Sequence, residues 1–166
     1  PDTWNFQNGE PFTPQVEEEL LNSLRPSYIA GLTLLGGDPF EEENQEALIR
    51  LLRRFHTEYP GKNLWAFTGY LYEDLLDGGR KHTIYTGEML SYTDILVDGP
   101  FVSSLKDLRL NFRGSSNQRI IDMNQTREKG HVVLSPLNSS RNKSGISLTA
   151  SVNPVITVKV RIPTGL

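Results

Sequence analysis

The stretch that decides the fold is LTLLGGDPFEEEN, residues 32–44, because an apolar run and an acidic run meet in it at a glycine corner. The apolar run stops at Gly36 and Gly37, and the chain then turns through Asp38 and Pro39. A short, nearly continuous apolar run is typical of a strand that is buried on both faces of a parallel sheet. The stretch therefore predicts a β-strand, a tight turn and an α-helix that begins with acidic residues.

The same alternation of strand and helix patterns continues along the chain. Strands are predicted at residues 28–35, 63–70, 95–97 and 119–121, and helices at residues 14–24, 39–59 and 70–76. We expect the first helix to begin after the N-cap Thr13, and the second to bury an apolar stripe of Ala47, Leu48, Leu51, Leu52 and Phe55. Such alternation indicates βαβ units, and hence an α/β fold with a mostly parallel sheet. We expect residues 1–125 to form this α/β domain.

The last part of the chain has a different composition. Residues 126–145 are rich in Ser, Asn, Lys and Arg, which is typical of a linker or a disordered segment. Residues 155–162 alternate apolar and polar side chains, so they either add an edge strand to the sheet or are poorly ordered. We therefore expect residues 126–166 to be a linker-like tail with one edge strand.

Composition excludes several classes of function. The formal net charge of −3 gives no reason to expect a nucleic acid or an anionic membrane as partner. No apolar run approaches the ~20 residues that span a bilayer, so a cytoplasmic protein is the default expectation. The 166 residues contain no cysteine, which excludes a disulfide, a thiolate nucleophile or a Cys-ligated metal among them.

Three of the predicted strands end in similar sequences: LLGGDP, AFTGY and LVDGP. Ordinary turn chemistry explains any one of these corners. In a parallel sheet, however, the three carboxyl ends lie on one side, where ligands usually bind. Asp38 and the strand-end carbonyls are hydrogen-bond acceptors, which favours a cationic donor. An α-ammonium group and a hydrated divalent cation both remain open, whereas a phosphate is disfavoured because the chain has no Gly-x-x-x-x-Gly-Lys loop.

Five blocks of the sequence carry a family resemblance: PDTWNF, GLTLLGGDPF, LWAFTGY, DILVDGPF and FRGSSNQRIID. In this order, over residues 1–122, the chain resembles the anaerobic ribonucleoside-triphosphate reductase activating proteins, which are radical S-adenosylmethionine (SAM) enzymes. The resemblance implies an incomplete (βα) barrel of the radical SAM type. It also implies SAM bound to a [4Fe–4S] cluster, whose reduction of SAM yields methionine and a 5′-deoxyadenosyl radical. That radical would generate a glycyl radical on the anaerobic reductase, with a reducing electron donor such as a flavodoxin as second partner.

The resemblance also implies a set of cofactor-binding residues: Gly36, Gly37, Asp38, Thr68, Gly69, Asp98 and Arg113. Residues 36–38 look like the family's Gly-Gly-Glu motif, which would receive the SAM ammonium group. Thr68 and Gly69 would lie beside the methionyl part or the ribose, and Asp98 would approach the ribose. Arg113 begins a signature that would lie near SAM or on the side that faces the reductase.

One feature of the family is not found in this sequence. The family's C-x3-C-x2-C motif, which supplies three thiolates to the cluster, would stand immediately before Pro1. His56, His82 and His131 share no common spacing and do not replace it. We therefore expect residues 1–125 to be an N-terminally truncated domain that is inactive as given, with no catalytic or metal-ligating residue identifiable in it.

Two other functions stay open. The first is a cluster-free module that binds the reductase or SAM without catalysis. The second is a divalent-metal enzyme that uses Asp38, Asp98 and the glutamates at residues 41–43. The second is the weaker alternative, because these carboxylates show no metal-ligand spacing and the glutamates suit the positive end of a helix.

Overall fold

A computed structural model describes residues 3–6, 13–139 and 155–160 of the chain. The strands are β1 Thr3–Phe6, β2 Gly31–Leu35, β3 Asn63–Phe67, β4 Ile95–Asp98, β5 Arg119–Asp122 and β6 Val155–Val160. The α-helices are α1 Pro14–Ser23, α2 Glu42–Glu58, α3 Tyr72–Leu75, α4 Thr86–Tyr92 and α5 Met123–Lys129. Two short 3-10 helices, Ser103–Leu105 and Pro136–Ser139, complete the described elements.

The strands form a six-stranded sheet in the order β1-β6-β2-β3-β4-β5. All neighbouring strands pair in parallel except β4 and β5, which are antiparallel. The mostly parallel α/β sheet is therefore confirmed. Within the described residues the sheet is open, with β1 and β5 at its edges, so the radical SAM barrel stays a prediction.

The antiparallel strand β5 differs from the expected run of βα units. The chain leaves β4 at residue 99 and returns at residue 119 without a crossover α-helix, through a loop that contains only the 3-10 helix Ser103–Leu105. A parallel strand needs a crossover that carries the chain back to the other end of the sheet. Without one, β5 runs back along β4.

The tail also differs from its expected form. Residues 126–139, predicted as part of a linker, contain the end of α5 and the 3-10 helix Pro136–Ser139. Strand β6 joins the sheet between β1 and β2, not at an edge. Its side chains Ile156 and Val158 are both buried, which is what an interior position requires. The rest of the predicted linker, residues 140–145, lies outside the described residues.

The helices begin and end where local chemistry places them. Helix α1 begins at Pro14 after the N-cap Thr13, whose hydroxyl accepts a hydrogen bond from Val16 N at 3.2 Å, as predicted. Helix α2 begins at Glu42, three residues later than predicted, because residues 38–41 form a turn closed by Glu41 N donating to Asp38 O at 3.1 Å.

The core lies between the sheet and the helices. Helix α2 contributes four residues of its predicted apolar stripe, Leu48, Leu51, Leu52 and Phe55, together with Ile49. The fifth predicted residue, Ala47, is exposed. None of the described helices has both the length and the apolar character needed to cross a membrane. The parallel strands β2, β3 and β4 all have their carboxyl ends on the same side of the sheet, and the candidate site lies at those ends.

Candidate functional site

A cavity of about 290 Å³ lies at the carboxyl ends of β2, β3 and β4. One wall contains four of the residues that the resemblance singles out: Gly36, Asp38, Thr68 and Gly69. A second wall, called the outer wall, comes from the loop between β4 and β5, through Phe101, Phe112, Gly114 and Gln118. Three adjacent strand ends and one long loop therefore build the cavity together.

The Asp38 carboxylate joins the ends of β2 and β3. Its Oδ1 accepts a hydrogen bond from Phe40 N at 3.0 Å, and its Oδ2 accepts one from Gly69 N at 2.8 Å. The Thr68 hydroxyl donates to both carboxylate oxygens at 2.9 Å. Burial raises the pKa of Asp38, and these three donors oppose that shift only in part. The corner thus holds a half-buried carboxylate in one orientation on the cavity wall.

The backbone of the corner is held by helix α2. Gly36 has a φ of 77° and Asp38 a φ of 48°, so both lie in the left-handed region that L residues rarely adopt. The Asn44 side chain donates from its Nδ2 to Gly37 O at 2.7 Å and to Asp38 O at 2.8 Å. Sequence reasoning missed Asn44. A polar residue at a buried position in the first turn of α2 is the signal that could have indicated it.

Asp98 lies at the end of β4, but its side chain makes its contacts away from the cavity. It is fully buried, and its Oδ1 accepts a hydrogen bond from Arg119 Nε at 2.9 Å while its Oδ2 accepts one from Tyr72 N at 2.7 Å. Arg119 also pairs with Glu73 at 2.8 Å. The next residue, Gly99, lines the cavity instead. The ribose contact of Asp98 therefore stays a prediction.

Arg113 lies between two lining residues, Phe112 and Gly114, in the loop that forms the outer wall. Its guanidinium donates from Nη1 to Gln118 O at 3.3 Å and from Nη2 to Asn138 O at 3.1 Å. Burial lowers the pKa of Arg113. Arg113 therefore does not line the cavity but lies behind the lining residues, bonded to Gln118 and Asn138.

Gln118 braces the same wall. Its Oε1 accepts hydrogen bonds from Gly114 N at 2.8 Å and from Ser115 N at 3.1 Å. Its Nε2 donates to Gly99 O at 3.0 Å, so one amide closes the loop onto the end of β4. The sequence motif contains Gln118, but the motif alone assigns it no role.

The residues of this chain do not fit a [4Fe–4S] cluster, whose ligands are cysteine thiolates. The sequence contains no cysteine. In the part of the chain that the structure describes, no group of three His, Asp or Glu side chains could hold a metal ion. His56 stacks on Tyr92, and His82 contacts Leu75 O at 2.9 Å. The divalent-metal alternative therefore has no ligand set among the described residues.

Comparison with known proteins gives a consistent family. A family model described as a 4Fe-4S single cluster domain matches residues 1–121. Eight relatives carry the name anaerobic ribonucleoside-triphosphate reductase-activating protein, and three of them represent the set here. The one from Enterobacteria phage T4 is 41% identical over 118 residues, which cover 71% of this chain and 69% of the relative.

The other two relatives are bacterial. The protein from Escherichia coli K12 is 37% identical over 118 residues, covering 70% of this chain and 72% of the relative. The protein from Haemophilus influenzae is 38% identical over 120 residues, covering 71% of this chain and 73% of the relative. No solved structure gives a significant match to the chain.

Proposed function

The chain belongs to the family of anaerobic ribonucleoside-triphosphate reductase-activating proteins, and we propose that it acts in an activase that generates a glycyl radical on the anaerobic ribonucleotide reductase by reductive cleavage of SAM. The part that this chain plays is to bind and orient SAM in the strand-end cavity. The observation that carries the proposal is the Asp38 carboxylate on the cavity wall, held by Thr68 and Gly69.

In this proposal the corner receives the SAM ammonium group. Both Asp38 oxygens already accept hydrogen bonds from the chain, so Asp38 attracts the ammonium group by its charge and orients Thr68 and Gly69 beside the ligand. A half-buried carboxylate is screened less than one in bulk water, which strengthens this attraction. Phe101 and Phe112 on the outer wall are 56% and 43% exposed, and they offer apolar surface that the bound ligand would cover.

In the complete activity, a [4Fe–4S] cluster supplies the electron that cleaves SAM. The thiolates that hold such a cluster are not among these 166 residues, so the proposal assigns no electron-transfer step to them. The proposed partners are the anaerobic reductase, which the relatives' names give as their target, and a reducing donor such as a flavodoxin.

A second candidate function is a cluster-free module that binds SAM or the reductase without catalysis. Its support is the strand-end cavity with its Asp38 corner, because binding of SAM there requires no cysteine ligand. The two functions differ in one product, since only the activase forms 5′-deoxyadenosine from SAM under reducing conditions.

Isothermal titration of the 166-residue chain with SAM tests the proposal. We expect saturable one-to-one binding. 5′-Methylthioadenosine, which keeps the adenosine but lacks the amino-acid part, should bind at least about tenfold more weakly, a loss of about 1.4 kcal/mol. Equal affinity for the two ligands, or no binding of SAM, would contradict the role given to the corner.

A further inference from the structure

We propose that residues 132–138 form a strap that positions the outer wall of the cavity, and that Asn138 is the positioning residue, acting through Arg113. The strap lies outside residues 1–121, which the family model matches. The inference rests on the proposed function only for the identity of the ligand. The contacts that define the strap lie within the chain and do not depend on that function.

The strap is attached to the outer edge of β5. Ser135 N donates to Ile120 O at 2.8 Å, and Asp122 N donates to Val133 O at 2.9 Å. Ile121 and Leu134 form an antiparallel bridge. The strap therefore pairs with β5 as a short irregular strand, and it satisfies backbone groups that a sheet edge would otherwise leave exposed.

Asn138 fastens the end of the strap through its side chain. Its Oδ1 accepts a hydrogen bond from Ile120 N at 3.0 Å, and its Nδ2 donates to Ile120 O at 2.7 Å. A second hydrogen bond from Nδ2 reaches Ser135 O at 2.7 Å. Because both ends of the amide are hydrogen-bonded, the Asn138 backbone is fixed relative to β5. Its carbonyl oxygen, which accepts a hydrogen bond from the Arg113 guanidinium, is fixed with it.

Arg113 depends on this carbonyl. Among the described residues, its guanidinium donates to the carbonyl oxygens of Asn138 and Gln118, and its Nε is buried without a hydrogen-bond partner. None of the residues that the structure describes pairs a carboxylate with Arg113. A partly buried cation that no described carboxylate neutralises is costly, so losing the Asn138 carbonyl as an acceptor should displace the side chain.

Displacing Arg113 would disturb the cavity wall directly. Phe112 and Gly114, its neighbours in the chain, both line the cavity. Gln118, whose carbonyl accepts Arg113 Nη1, holds Gly114 N with its side chain. Phe112 also packs edge-on against Trp65, with ring centroids 4.9 Å apart. The strap is therefore linked to the ligand-facing residues by one continuous set of contacts.

Amide hydrogen exchange measured by NMR tests the inference without any ligand. In Asn138→Ala, the amides of Gly114 and Ser115 should exchange at least about tenfold faster than in the unchanged chain, because the brace on them loosens. The matched control is His131→Ala, an exposed position beside the strap, which should leave both amides unchanged. Unchanged exchange in Asn138→Ala would overturn the inference.

A second variant separates a positioning role from simple loss of stability. Arg113→Gln leaves the Asn138 side chain on Ile120 but removes the cation, and it should accelerate the same two amides. Because the two residues act in series, the double variant should show no more acceleration than Arg113→Gln alone. If the double variant exchanges these amides faster than Arg113→Gln does, Asn138 does not act through Arg113. If Asn138→Ala does not fold, Arg113→Gln decides alone, and unchanged exchange in it overturns the inference.

The effect on the ligand distinguishes this inference from the proposed function. Asn138→Ala should weaken SAM binding about tenfold, or about 1.4 kcal/mol, while His131→Ala should not. If the unchanged chain does not bind SAM, the proposed function fails, and amide exchange still decides the strap. If SAM binds equally well to Asn138→Ala and the amides are unchanged, the strap alone fails.

Discussion

Replacing Arg119 by methionine is expected to lower the free energy of unfolding by about 3–5 kcal/mol, because it leaves the buried Asp98 carboxylate without its counter-ion. The two residues face each other in the β4–β5 register. Among the described residues the remaining donor to Asp98 is Tyr72 N at 2.7 Å, which does not neutralise the charge. Urea unfolding followed by circular dichroism measures the loss.

The control for Arg119 is its exposed partner. Glu73 pairs with the same guanidinium at 2.8 Å, but its side chain is 54% exposed. Glu73→Gln should therefore cost less than about 1 kcal/mol. Changing both buried partners, Asp98→Leu with Arg119→Met, should recover much of the loss, since no buried charge remains. A loss below about 1 kcal/mol in Arg119→Met alone would show that this pair does not hold β5 onto β4.

Asp38→Asn is expected to weaken SAM binding by at least about tenfold, or about 1.4 kcal/mol. The change removes the negative charge beside the proposed ammonium site. It also puts an N–H donor where either Phe40 N or Gly69 N donates, so one of those two hydrogen bonds is lost. Titration calorimetry measures the change. The matched control is Glu42→Gln, which makes the same charge change at an exposed position in the first turn of α2 and should leave the affinity within about twofold.

The same residue predicts a pH dependence. Burial raises the pKa of Asp38 above its ordinary value of 3.8. As the pH falls through this raised pKa, the carboxylate takes up a proton and loses its attraction for the ammonium group, so SAM binding weakens. Asp38→Asn should lack this acid limb. If the SAM affinity of the unchanged chain and that of Asp38→Asn fall equally between neutral pH and pH 4, Asp38 is not the titrating group.

The raised pKa also has a consequence for stability. The folded state binds the Asp38 proton more tightly than the unfolded state. The stability that Asp38 contributes is therefore fully present below its unfolded pKa and is lost as the pH rises through the folded pKa. A charged Asp38 thus costs stability at neutral pH, which is consistent with a residue kept for binding.

Local features of the fold could be predicted from the sequence. The Thr13 cap of α1, the apolar stripe of α2 and the three similar strand ends depend on residues close together in the chain. The left-handed corner at Gly36 and Asp38 was also visible as a turn, although the later start of α2 was not. These features follow from backbone preferences and side-chain periodicity, which a short window of sequence contains.

The features that were missed depend on contacts between distant parts of the chain. The antiparallel direction of β5 and the place of β6 beside β2 are choices of strand pairing, which local patterns do not specify. The strap contacts of Asn138 and the brace formed by Gln118 are side-chain amides bonded to backbone across the fold. The residue types around Asn138 are common in loops, so composition alone suggested a linker at residues 126–145.

The most direct test of SAM binding at the strand-end cavity is an NMR titration of the ¹⁵N-labelled chain with SAM. The proposal predicts saturable shifts of the amides of Gly36, Asp38, Thr68, Gly69 and Gly99, with one dissociation constant common to all of them. The shifts should be lost in Asp38→Asn at the same SAM concentration. Saturable shifts confined to other parts of the chain, or no shifts at these amides, would contradict it.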